Sequence, residues 1–170
     1  MNTPEFNPSN GLLLVCERDD AKRIFAARSD EALTEFFKEY LSDSKNLDQD
    51  RTLDLQSKWL AIHACFCGGS TDSSAGDLPL NQIILGGRPL GSGSQFQAIL
   101  VRPDFVPHIV AALESFKQET AEQAFQVLQS GESQSTATFE EVWSLIGKIE
   151  ILFKTAAELR AAVVFHRQET

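Results

Sequence analysis

The stretch from Leu53 to Gly93 constrains the fold more than any other part of this chain. It holds seven of the ten glycines, namely Gly68, Gly69, Gly76, Gly86, Gly87, Gly91 and Gly93. A helix is expected to be capped by Asp54 and to end at Gly68, because apolar residues recur every three or four positions between them: Leu55, Trp59, Ile62 and Phe66. We therefore predict an amphipathic helix in the core, followed by a glycine-rich loop system.

Shorter patterns on either side predict the remaining elements. Continuous apolar runs predict buried strands over residues 12–16, 97–102 and 162–166. Helical spacing after a capping residue predicts helices that follow Asp19 or Asp20, Ser29, Asp104, Thr120 and Thr138. Residues 79–85 are expected to form a short helical piece and Gly86–Gly93 an irregular turn. The expected fold class is α+β: a flexible lead-in over residues 1–10, then one compact domain over residues 11–170 with several amphipathic helices packed on a small mixed sheet.

The charge balance excludes some partners and favours another. The chain has 170 residues, of which 24 are acidic and 15 basic, so the net charge is -9. This field repels a nucleic-acid backbone and favours a basic protein partner, for which Asp48, Asp50 and Asp54 are candidate contacts. Apolar runs are too short for a membrane span, and the first residues lack the pattern of a signal peptide. With three cysteines and no disulfide framework, a reduced cytoplasmic location is expected.

A metal centre is not predicted, although His63, Cys65 and Cys67 lie close in the sequence. His63 and Cys67 share one helix face, but a structural zinc site needs four ligands and the sequence contains no second pair. Free thiols behave more often as small buried apolar groups. We also find no cofactor motif.

His63 and the glycine loop remain candidates for ligand binding. A general base needs an orienting or reacting partner, which Asp77 or Ser92 would have to supply, so a half-buried His63 bonded to a backbone carbonyl is the favoured interpretation. The loop can cradle an anion with its backbone N–H groups and Arg88, through Gly86, Gly87, Gly91 and Gly93. It lacks the Walker and dinucleotide-binding patterns, and a plain turn with positive φ angles is the favoured alternative.

The central stretch also resembles a known family. The residues that carry the likeness are Leu53-Asp54-Leu55, Trp59, Ile62-His63, Gly68, Pro79-Leu80, and Ile84-Leu85-Gly86-Gly87-x-Pro89-Leu90-Gly91. Together they resemble the YfbM-like family, a bacterial family of unknown function. Where that family leads us to expect Gly-Tyr after the loop, this chain has Gln95-Phe96. The resemblance implies a single α+β domain and brings no established activity, so no catalytic residue is assigned.

Two functional hypotheses follow. The first is a non-enzymatic, acidic protein-binding module of an immunity or adaptor type. The second is a small-ligand-binding or hydrolytic protein that uses the Gly86–Gly93 loop with Arg88 and His63. The first is favoured because no coherent nucleophile, metal or cofactor motif is found. The oligomeric state is left open.

Overall fold

Helices cover both faces of a five-stranded sheet in the computed structural model. The structure describes residues 10–48, 50–91, 96–132 and 134–168, with the backbone alone for Phe96 and Gln168. In chain order the elements are β1 (Gly11–Cys16), α1 (Arg18–Ala26), α2 (Asp30–Ser42), β2 (Thr52–Gln56), α3 (Trp59–Phe66), β3 (Arg88–Pro89), β4 (Phe96–Val101), α4 (Val106–Glu114), α5 (Gln118–Ser130), α6 (Phe139–Leu159) and β5 (Ala162–Gln168). The expected lead-in over residues 1–10 lies, except for Asn10, outside these residues.

The strand order is β2-β1-β5-β4-β3, and neighbouring strands are antiparallel throughout the described sheet. The α+β fold class is therefore confirmed, and the sheet expected to be mixed is antiparallel. The reason is the position of β5: β1 and β4 run in the same direction, but the last strand inserts between them in the opposite direction. Within the described part of the chain, no helix combines the length and the apolar composition that a membrane crossing requires.

The sheet separates two apolar clusters, as the run in β1 predicts. Leu13 and Val15 face a large cluster that includes residues of α3 to α6. Leu12 and Leu14 face a smaller cluster with α1 and α2. Because successive strand residues point to opposite faces, an unbroken apolar run is needed where both faces are covered. The prediction of a strand that is buried on both faces is confirmed.

The predicted start of the helix after Asp54 was wrong. Residues Thr52–Gln56 form β2, which pairs with β1, and α3 begins only at Trp59. Leu53 and Leu55 alternate with polar residues, which is also the pattern of a strand with one buried face. α3 itself is buried nearly all round rather than amphipathic, since residues 61–67 are all buried. Its end was predicted correctly: Gly68 has a φ of +66°, and the Gly69 N–H donates to the Ala64 carbonyl.

Of the five expected helix caps other than Asp54, two are present and three are not. The Ser29 hydroxyl accepts from the Ala32 N–H, and the Thr138 hydroxyl accepts from the Glu141 N–H. Thr120 lies inside α5, which begins at Gln118. Asp104 does not cap α4, which begins at Val106, and its carboxylate pairs with Arg102 instead. The remaining cap, Asp19 or Asp20, lies within the first turn of α1, where a carboxylate still interacts favourably with the helix dipole.

The glycine-rich region is only in part the irregular turn that was expected. Residues Leu80–Gln82 form a short 3₁₀ helix inside the predicted helical piece, and Arg88–Pro89 form the edge strand β3. Gly86 and Gly87 are not among the glycines with positive φ in the described chain. They are required by close packing instead. A Cβ on Gly86 would overlap the Asn81 carbonyl oxygen, and one on Gly87 would lie 2.8 Å from the Leu100 carbonyl oxygen.

Gly86→Ala is therefore expected to destabilise the protein. The added methyl group displaces the backbone that accepts the Gly86 N–H at 3.0 Å, and such overpacking costs about 1–3 kcal/mol. The matched control is Gly147→Ala, an exposed position inside α6 with no atom within 4 Å of the new Cβ. That change should stabilise the protein by about 0.5–1 kcal/mol, because alanine is the better helix former. Urea denaturation measures both, and equal effects would contradict the packing argument.

Candidate functional site

Arg88 lies on the side of the sheet covered by α1 and α2. Its position in β3 is paired with Leu100 of β4, which belongs to the cluster on that face. The Arg88 guanidinium carbon lies 5.3 Å from the centre of the Phe25 ring of α1. A cleft of about 260 Å³ beside it is also lined by Arg102. Of the other loop candidates, Gly91 is half-buried, and Ser92 and Gly93 lie outside the described residues.

His63 lies on the other side of the sheet and is fully buried, at 0% exposure. Its Nε2 is 2.9 Å from the Asp72 carbonyl oxygen and therefore acts as the donor. Burial lowers the pKa of His63, although the Asp72 carbonyl opposes this effect. The ring is thus neutral near pH 7, and its hydrogen bond ties the loop after α3 to the helix. Within the described residues, no group of three or more His, Cys, Asp and Glu is placed to hold a metal ion.

The structure does not bring His63 and Arg88 together. His63 belongs to α3, which packs in the larger cluster on one face of the sheet. The Arg88 side chain contacts α1 on the opposite face. A single site that uses both side chains would have to connect opposite faces of the sheet. The sequence suggested their proximity only because both residues lie in the same glycine-rich stretch.

The acidic candidates for partner binding surround the edge strand β2. Asp48 and Asp50 are exposed in the turn before β2. Asp54 is half-buried, and its carboxylate accepts from the Gln56 N–H at 2.7 Å and from the Asn10 side chain at 3.4 Å. Asp54 therefore has a local structural role, and Asp48 and Asp50 are the freely accessible carboxylates of this group.

A groove of about 860 Å³ lies at the C-terminal end of α3. We call it the α3–α5 groove. Residues 65–68 form its floor and residues 76–80 one wall. The other walls come from the last turn of α4 with the residues that follow it (Ala112, Ser115 and Phe116) and from one stripe of α5 (Thr120, Gln123, Ala124 and Val127). Its volume lies within the range of small-molecule sites in proteins.

Two thiols on the floor of the groove are not activated. Burial raises the pKa of the Cys65 thiol to about 12 and that of the Cys67 thiol to about 11. The Nδ1 of His63, which is the acceptor because Nε2 donates to the Asp72 carbonyl, lies 3.8 Å from the Cys67 sulfur. Burial raises the pKa of the thiol and lowers the pKa of the imidazole, and both shifts disfavour transfer of the thiol proton to the ring. Because the thiolate is the nucleophilic form, the pair lacks the character of a catalytic Cys–His dyad. The arrangement supports packing rather than covalent chemistry.

The rim of the groove exposes large apolar side chains. Leu78 is 65% exposed and Val127 is 55% exposed, and both line the groove. Among the described lining residues, Asp77 is the one that carries a formal charge. Large apolar side chains that are exposed around one concave surface are typical of interaction sites.

Sequence reasoning did not identify this groove, although two signals for it exist. Val127 lies at the edge of the buried stripe of α5, which consists of Ala121, Ala124, Phe125 and Leu128. Leu78 is the first large apolar residue after the polar loop over residues 70–77. An apolar residue outside the main stripe of its helix can indicate a binding surface, but only the packing of α3, α4 and α5 places the two residues around one cavity.

Comparisons with known proteins agree with this fold. The family described as "Domain of unknown function (DUF1877)" matches residues 11–166. The crystal structure of YfbM, a protein of unknown function from Escherichia coli, is similar with a TM-score of 0.69 at 13% sequence identity. This similarity covers 92% of the present chain and 98% of that chain. A comparison with proteins of curated function finds no match. Since the family match extends from β1 into β5, the chain belongs to the DUF1877 family of unknown function, and its fold is that of YfbM.

Proposed function

We propose that this protein is a non-enzymatic, cytoplasmic protein-binding module of an immunity or adaptor type, which binds a basic partner through the α3–α5 groove. The observation that carries this proposal is the exposed apolar rim formed by Leu78 and Val127 around a cavity of about 860 Å³. Exposing two large apolar side chains to water is unfavourable, and a partner that covers them recovers this free energy.

The charge of the protein supports a basic partner. A net charge of -9 creates a field that attracts a cationic protein and accelerates encounter. Asp48 and Asp50 are exposed but do not line the groove, so their contribution is to this long-range steering rather than to direct contacts in the groove. These two residues are therefore expected to increase the association rate, and this increase should become smaller with added salt.

The unactivated groove supports binding without catalysis. Cys65 and Cys67 remain protonated near neutral pH, and the Nε2 of His63 is bonded to a backbone carbonyl. These groups anchor α3 and the loop after it, which form the floor and one wall of the groove. The same residues thus stabilise the conformation of the binding surface.

Val127→Lys is expected to weaken partner binding at least about tenfold, equivalent to 1.4 kcal/mol. The ammonium group removes an apolar contact, is costly to desolvate in the groove and repels a basic partner. The experiment is affinity capture from extracts of the cells that make the protein. It is followed by calorimetry between the purified protein and any stoichiometric partner.

The matched control for this experiment is Ile151→Lys. Ile151 is 57% exposed on α6, close to the 55% of Val127, and does not line the groove. The proposal requires a partner that the unaltered protein and the Ile151 variant retain and that the Val127 variant loses. A partner that all three proteins bind equally would show that the groove is not the binding site. The absence of any stoichiometric partner would exclude the module.

A further inference from the structure

The walls of the α3–α5 groove consist of helices and loops. Its lining residues on α5 are spaced at positions i, i+3, i+4 and i+7, from Thr120 to Val127, and so form one stripe about 10 Å long, or two helical turns. On the α4 side, Ala112, Ser115 and Phe116 form a shorter stripe. The groove is thus bordered by two helical ridges with the end of α3 between them.

Resting on the proposed function, we infer that the partner inserts an amphipathic α-helix of about two turns into this groove, with apolar anchors and a neighbouring Lys or Arg. No described strand residue lines the groove, so an extended segment would find no sheet edge to pair with. A helix satisfies its own backbone hydrogen bonds and needs only an apolar face, which presents residues at i, i+3, i+4 and i+7. This spacing matches the stripe of α5.

Small residues on the walls admit such a helix at close range. Ala112, Ser115 and Ala124 line the two helical walls, and Gly68 and Gly76 line the floor and the loop wall. Side chains of this size leave grooves into which the ridges of another helix pack. Phe66 and Phe116, whose ring centres are 5.2 Å apart, provide an aromatic surface for the apolar anchors.

The charges around the groove select a cationic helix. Asp77 lines it, and Glu119 lies one turn before Gln123 on the same stripe of α5. Asp72 is exposed in the loop that leads to the wall. Lys117 follows Phe116 in the chain and, like Glu119 and Asp72, does not line the groove, so the net charge of these four charged residues is -2. A Lys or Arg beside the apolar anchors of the partner therefore meets carboxylates, whereas an acidic residue is repelled.

The inference is tested with three synthetic peptides of roughly 18 residues, a length above the marginal range for isolated helices. The first peptide is an amphipathic helix of Leu, Ala and Lys. The second replaces every Lys by Glu. The third is the first with two central prolines, which break the helix. Binding is measured by calorimetry, and its location by ¹H–¹⁵N NMR shifts of the full-length protein, on the unaltered chain and on the Val127→Lys, Ile151→Lys and Asp77→Asn variants.

The Lys peptide is expected to shift amides in α3, α4 and α5 and to bind at least about tenfold more tightly than either other peptide. Val127→Lys should abolish this preference, Ile151→Lys should retain it, and Asp77→Asn should weaken binding severalfold at low salt only. Equal binding of the proline peptide would contradict the inference that the partner segment is helical. Equal binding of the Glu peptide would contradict the inference that this helix is cationic. Shifts outside the groove, or no shifts, would overturn the inference as a whole. The proposed function is decided separately by whether a native partner depends on Val127.

Discussion

Replacing Phe153 by alanine is expected to lower the free energy of unfolding by about 3–5 kcal/mol. Phe153 is fully buried on α6, in the cluster between the sheet and helices α3 to α6. Truncating its ring removes apolar surface from the core and leaves a cavity that the antiparallel sheet and the surrounding helices cannot fully close. Because domains of this size are stable by about 5–15 kcal/mol, this loss is a large share of the total. Urea denaturation monitored by circular dichroism measures it.

Ile151→Ala is the matched control on the same helix. Ile151 precedes Phe153 by two residues and is 57% exposed, so its truncation should change stability by about 0.5 kcal/mol or less. Both variants introduce alanine, which has the higher helix propensity, so this contribution largely cancels when the two stability changes are compared. A loss below about 1 kcal/mol at Phe153 would mean that α6 does not pack on the sheet as described.

Acidification from pH 7 to pH 4 is expected to lower stability by about 3 kcal/mol through His166 alone, two thirds of it by pH 5. Burial lowers the pKa of His166 from 6.5 to about 4, although the Gln97 carbonyl, 3.2 Å from its Nδ1, opposes this shift. Above pH 6.5 the imidazole is neutral in both the folded and the unfolded chain, so its full contribution is present. As the pH falls below 6.5 the unfolded chain binds a proton first, and stability declines until the folded chain is protonated near pH 4.

The measurement is the free energy of unfolding in urea at a series of pH values between 7 and 5. His166→Phe retains an aromatic ring where His166 stacks on Phe37 at 3.9 Å between ring centres, but it does not titrate. This variant should show a shallower decline, with a residual slope from His63, whose pKa is also lowered by burial. His108→Gln, at an exposed position on α4, is the control for removing a histidine and should follow the unaltered protein. Parallel curves for all three proteins would contradict the burial of His166 in the sheet.

These stability variants separate the scaffold from the proposed binding surface. Phe153 packs against the sheet and His166 lies within β5, where it stacks on Phe37, whereas Leu78 and Val127 line the groove. Changes at the groove should therefore alter partner binding while leaving the unfolding free energy nearly unchanged. Changes in the core should lower stability first and binding only through loss of folded protein.

Local signals in the sequence predicted much of the architecture. The unbroken run from Leu12 to Cys16 predicted a strand covered on both faces, and the hydroxyl residues Ser29 and Thr138 predicted the starts of α2 and α6. These predictions succeed because a cap or a continuous apolar run depends on neighbouring residues and requires no knowledge of the fold. The error at Asp54 arose where two periods coincide: Leu55 fits a helical spacing with Trp59 and also alternates with Leu53.

The sequence by itself determined the α+β class, the acidic character, the family resemblance and most of the elements, because composition and periodicity record which faces are buried. Only the tertiary structure decided which distant residues meet. It inserted β5 between β1 and β4, placed His63 and Arg88 on opposite faces of the sheet, and assembled Leu78 and Val127 around one groove. Such neighbourhoods depend on how helices and strands pack across the whole chain, and spacing along the sequence does not encode them. The proposed binding surface is a property of this packing.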